Sequence, residues 1–169
     1  MGKAQLKKEI QTLSREQLEH LVLEAYEARK EIKQYFDFFL DPDAAGLAEK
    51  YKAAIDKELK RSKRGHSRAR TSVIKRALKD FSSFQPGFEY ELDLMFHTIA
   101  TAMIAEAQLN FTEAQCNAYG KLLLDMIALA DRNLVADKIL SRTTSMLDNP
   151  KAGSVYFRRF LKKLLDENL

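Results

Sequence analysis

Cysteine occurs once in this 169-residue chain, at Cys116, so no internal disulfide can form and no second thiol exists for a CxxC redox pair or a cysteine-rich zinc site. Glycine and proline are scarce, at six and three residues, which argues against the turn-rich pattern of a sheet protein. Long apolar runs are missing too. The longest mostly apolar stretch, Leu92 to Ala105, contains Asp93 and His97 and falls short of the roughly 20 residues that span a bilayer. The first ten residues are charged and lack the apolar run and small-residue cleavage site of a secretory leader. No glycine-rich phosphate loop, GxSxG turn or HExxH helix occurs. These absences lead to the expectation of a cytoplasmic protein in a reducing compartment, with no membrane span and no cofactor, and they lean away from an enzyme.

What is present favours helix. Ala, Leu, Glu, Lys and Gln are abundant, 46% of residues are hydrophobic, and the length suits one well-buried core better than two. The expectation is an all-α fold: a single domain over 1–169, a bundle or irregular array of about eight helices without a sheet.

A short helix carrying Leu6 and Ile10 stops near Leu13, where Ser14-Arg15-Glu16-Gln17 reads as a capping box. Apolar residues continue at helical spacing from Leu18 to Phe39, ahead of Asp41-Pro42, and the pattern leaves open a break near Arg29. The next helix runs from about Asp43 to Arg61, with a connection around Gly65, and another runs from about Arg70 to Phe81. Gln85-Pro86-Gly87 marks a turn. From Phe88 to Leu109 the residues Leu92, Met95, Phe96, Ile99, Ala100, Met103 and Ala107 cover over half the helical circumference, the pattern of a central helix. Thr112-Glu113-Ala114-Gln115 is a second capping box, opening a helix through about Ala130, and Leu134 to Met146 forms another. The last segment, about 154–167, is amphipathic: Tyr156, Phe157, Phe160, Leu161, Leu164 and Leu165 oppose Arg158, Arg159, Lys162 and Lys163. Such a face either completes the core or rests on a membrane surface, and packing is the favoured outcome.

Charge is concentrated in one place. Between Lys57 and Lys79 lie Lys57, Lys60, Arg61, Lys63, Arg64, Arg68, Arg70, Lys75, Arg76 and Lys79, with Glu58 as the only acid: a formal +9 in a chain of +4, leaving −5 elsewhere. At 100° per residue, Arg68, Lys75, Arg76 and Lys79 share about a third of the circumference opposite Val73, Ala77 and Phe81. Lys50, Lys57, Arg61 and, if the preceding helix continues that far, Arg64 align likewise. This basic hairpin, about 47–81, suits the phosphates of a nucleic acid, or the face of an acidic protein. The stretch holds no aromatic to stack on bases and no Asn or Gln to read adenine, so any nucleic-acid contact is a backbone contact. The alternative is a solvated pair of helix ends whose cations cap carbonyls or pair with acids such as Glu16, Glu19, Glu24 and Glu27.

Other constellations are sparser. Asp93 and His97 sit four apart on the central helix, the start of a metal site or an acid–base pair, but the Glu-x-x-His signature of helical metal proteins is missing. The expectation is that Asp93 orients His97 at the core edge, with metal binding or enzymatic function as an alternative. His20 lies on a charged face, His66 in the basic connection, and Cys116 on an apolar face as a buried thiol. Tyr35, Phe36, Phe38 and Phe39 exceed what one apolar stripe needs, and Phe38 is the candidate exposed anchor of a protein–protein interaction module.

Three stretches, Leu6 to Tyr26, Gln34 to Pro42 (QYFDFFLDP) and Lys63 to Phe81 (KRGHSRARTSVIKRALKDF), resemble an uncharacterised bacterial all-helical family that carries a domain-of-unknown-function label. The resemblance covers about the first half of the chain. It implies a self-contained helical domain, and it brings no activity or site residue with it.

Overall fold

Helices are the only regular elements in the computed structural model, which describes residues 2–60 and 69–168. Nine occur among the described residues: α1 Lys3–Thr12, α2 Arg15–Ala28, α3 Lys30–Leu40, α4 Ala44–Leu59, α5 Thr71–Ser83, α6 Phe88–Leu109, α7 Glu113–Arg132, α8 Ala136–Asp148 and α9 Val155–Glu167. The ninth arises at Arg29, whose extended backbone (φ −141°, ψ 126°) divides one long amphipathic pattern into α2 and α3. Residues in contact divide the chain into two compact units, Met1–Asp43 and Ala44–Leu169.

In the first unit α2 and α3 pack side by side. Ser14 opens α2 as a full capping box: its hydroxyl accepts from the Gln17 N–H at 3.2 Å, and its own N–H donates to Gln17 Oε1 at 2.9 Å. The Tyr26 hydroxyl donates to Asp37 at 2.7 Å, its ring meets Phe36 edge-on, and the Lys33 ammonium lies 5.4 Å from the ring centre. Lys33, Phe36 and Asp37 form one strip at i, i+3 and i+4, which is how α3 faces α2. None of the described residues of α1, α2 or α3 is fully buried.

The second unit is built around α6, which packs against α4, α5, α7 and α9. Leu94, Thr98, Ile99, Ala102 and Met103 are inaccessible to solvent, and the Thr98 hydroxyl is satisfied by the Leu94 carbonyl at 2.7 Å. Leu92, Ile99 and Met103 of the expected face are buried, Met95, Phe96 and Ala100 are half-buried, and Ala107 is exposed. Asn110, in the left-handed region at φ 50°, ends the helix. The Ala69 carbonyl, just ahead of α5, accepts from the Gln115 amide near the start of α7 at 2.9 Å, so the N-terminal ends of these two helices lie together.

α9 packs against α7, α8 and α6, with Phe157, Leu161 and Leu165 buried. Its cations tie it down as well: Lys162 bonds Asp148 at 2.7 Å, and Arg158 reaches the Leu147 carbonyl at 3.5 Å. Tyr156, expected on the buried face, is 65% exposed. It lies one residue before Phe157, which points into the core, and that 100° step turns it outward. The Ser154 hydroxyl accepts from the Phe157 N–H at 3.1 Å and donates to the buried Glu106 carboxylate, so one side chain caps α9 and satisfies an acid of α6. Among the described residues no helix is long and apolar enough to cross a membrane.

Candidate polyanion-binding site

Of the ten cations in the basic stretch, Arg61, Lys63, Arg64 and Arg68 lie outside the described residues, as does His66. The other six fall into three environments. Lys57 and Lys60, at the C-terminal end of α4, are exposed and make no ion pair with a described residue, as is the case for Lys50 about two turns before Lys57. Lys75 and Lys79 on α5 are exposed and make no ion pair with a described residue either. Arg76 faces Asp80 at 3.6 Å, with both side chains mostly in water, an arrangement worth little.

Arg70 is different. Its guanidinium grips Glu58 from two nitrogens, at 2.9 and 3.0 Å, and its backbone N–H donates to the same carboxylate at 3.1 Å. The Glu58 side chain is only 8% exposed. The hydrogen bond and charge of Glu58 raise the Arg70 pKa further above its already high value. The backbone closes alongside, with the Ala69 N–H on the Glu58 carbonyl at 3.1 Å. Gln115 completes this clip: its Oε1 accepts from the Thr112 N–H at 2.9 Å in the α7 capping box, while its amide nitrogen donates to the Ala69 carbonyl at 2.9 Å. The only acid of the basic stretch therefore holds the base of the α4–α5 hairpin together, and Arg70 is committed to it rather than offered to a ligand.

Lys75 and Lys79 open onto a groove of about 450 Å³ between α5 and α7. Lys121 and Arg132 line the α7 side, and neither was singled out in the sequence because each stands among acids on its own helix, such as Asp125 and Asp131. Only packing brings them opposite the cations of α5. Glu91, which accepts from Ser82 at 2.7 Å, and Asp125 also line the groove.

A model of a family described as "Family of unknown function (DUF6155)" matches residues 1–148. The chain belongs to this family. No curated protein and no solved structure matches the chain. The DUF6155 match takes in α1 to α8 and the whole basic hairpin, and leaves α9 beyond its end.

In this DUF6155 chain Asp93 and His97 do not pair. The His97 Nε2 lies 2.7 Å from Asp56 Oδ1 on α4, and the Thr101 hydroxyl reaches the same oxygen at 3.3 Å. Asp93 instead takes Lys52 at 2.7 Å and Arg142 at 3.5 Å, and the Arg142 guanidinium stacks 3.8 Å from the centre of Phe96. Spacing along α6 permitted their pairing, but charged partners on α4 and α8 take both residues. Partial burial pulls the Asp93 carboxyl up, and Lys52 and Arg142 together outweigh it and hold the carboxyl below its ordinary value. Among the described residues no group of three His, Cys, Asp or Glu side chains is placed to hold a metal ion. Cys116 is a buried thiol, pushed up first by burial and then by the Glu106 charge. Phe38 is half-buried, while its neighbours Phe39 and Leu40 are 70% and 77% exposed.

Proposed function

We propose that the chain is a non-enzymatic cytoplasmic binding domain whose basic hairpin contacts a polyanion, nucleic acid in the first place, through the phosphate backbone and without sequence specificity. The observation that carries this reading is that Lys57, Lys60, Lys75 and Lys79 are exposed with no anionic partner among the described residues. Arg70, by contrast, is paired with Glu58. Arg61, Lys63, Arg64 and Arg68 follow directly on Lys60 in the sequence and extend the same charge. The composition of the stretch supports backbone contact, with no base-reading side chain in it. The single thiol supports a reducing compartment. Reversing Lys57, Lys60, Lys75 and Lys79 to Glu should abolish binding to mixed-sequence duplex while helicity by circular dichroism stays unchanged; retained binding would remove the proposal.

A second reading, a protein–protein interaction module, draws on the first unit. Its described residues include no fully buried side chain, and Leu21, Leu23, Tyr35, Phe39 and Leu40 are exposed there. Replacing Phe39 and Leu40 by Asp should eliminate a partner captured by the full chain, and identical capture by the variant would set this reading aside.

A further inference from the structure

We propose that the α5–α7 groove binds a single-chain amphipathic carboxylate, with the acid head between Lys75 and Lys121 and the apolar chain along Leu78, Leu122 and Leu129. This goes beyond the polyanion reading, which concerns the hairpin's outer charge and no enclosed ligand. The groove's volume, about 450 Å³, falls within the span of about 300–1,000 Å³ common to small-molecule sites. Its floor is hydrocarbon from three helices, including Ile74, Leu94 and Met95. A strongly charged or wholly polar ligand would strand that surface, and a purely apolar one would leave the lysines idle.

The charges are not evenly spread. The Ala69–Gln115 bond joins the N-terminal ends of α5 and α7, so the first cations met from that end are Lys75 on one wall and Lys121 on the other, with the Thr71 hydroxyl. Lys79, Asp125 and Arg132 come further along, and Glu91 is held by Ser82 near the C-terminal end of α5. The lining acids therefore lie beyond the first pair of cations. A monoanion with an apolar tail fits that polarity.

Tyr119 lines the groove but is only 2% exposed, and its hydroxyl, without a hydrogen-bond partner among the described residues, is closed off from solvent and so from a ligand in the groove. Burial first, and the Glu58 charge second, push this hydroxyl well up.

The test is calorimetric titration of the full chain at neutral pH with decanoate below its micellar concentration, against decan-1-ol and acetate. Decanoate should bind at least about tenfold more tightly than decan-1-ol, and acetate should not bind detectably. Lys75→Glu with Lys121→Glu, both exposed positions, should weaken decanoate by about tenfold or more and leave decan-1-ol unchanged. Leu122→Trp, checked for folding by circular dichroism, should weaken both by filling the groove. Equal affinity for decanoate and decan-1-ol, or decanoate binding indifferent to the lysine variant, would overturn the proposal. Its failure is separable from that of the polyanion reading: Leu122→Trp should leave duplex binding intact, and Lys57→Glu with Lys60→Glu should weaken duplex and not decanoate.

Discussion

Arg70 shows why a count of cations overstates a binding surface. By composition it belongs with its nine basic neighbours, yet its two-pronged hold on Glu58 makes it a structural residue. Arg70→Ala should lower the melting temperature, since it strips a nearly buried carboxylate of its guanidinium, and it should reduce duplex affinity less than Lys75→Glu does. An unchanged melting temperature with a large loss of binding would return Arg70 to the ligand surface. That Glu58 would be the buried acid was in principle readable, because it is the lone acid in a run of bases, with Leu59 and Ile55 on the same helix burying their side chains. Its partner was not readable, because nine other cations share the stretch from Lys57 to Lys79, and only the closure of the hairpin selects one. The unequal roles of Phe38 and Phe39 were equally hidden: four aromatics within five residues announce excess apolar surface without saying which side the core takes.

Elements were legible where local chemistry sets them. Both capping boxes, Ser14-to-Gln17 and Thr112-to-Gln115, form as their sequences require, and α6 begins and ends at Phe88 and Leu109 between Gly87 and Asn110. The break near Arg29 stayed open, since Ala28, Arg29 and Lys30 are all good helix formers and the division accompanies the packing of α3 back onto α2. The entry into α9 depends on a glycine whose role only the fold reveals. Gly153 holds φ +96°, and a Cβ there would run into the Met103 carbonyl on α6. Gly153→Ala should destabilise the chain by about 3 kcal/mol, through backbone strain and displacement of the Ser154 cap from Glu106, read as a lowered denaturation midpoint. A midpoint within error of the parent would show that this connection is not docked as described.

At the scale of the molecule, the sequence located the charge and the structure divides it. One part, the clip of Glu58, Arg70, Ala69 and Gln115, fixes the hairpin, and another, Lys57, Lys60, Lys75 and Lys79, has no ion pair among the described residues. Lys121 and Arg132 add cations from α7 that no spacing rule connects to α5, because their meeting is a property of how α5 and α7 flank α6. Asp93 and His97 take separate partners on α4, Lys52 and Asp56, rather than each other. Unbalanced positive charge at one hairpin carries the polyanion reading. The most direct test of that account is the salt dependence of full-chain affinity for mixed-sequence duplex. Engagement of about five phosphates predicts a log–log slope near −4.5, a loss of several hundredfold for a fourfold rise in salt. No binding at low salt, or an affinity that salt does not change, would contradict it.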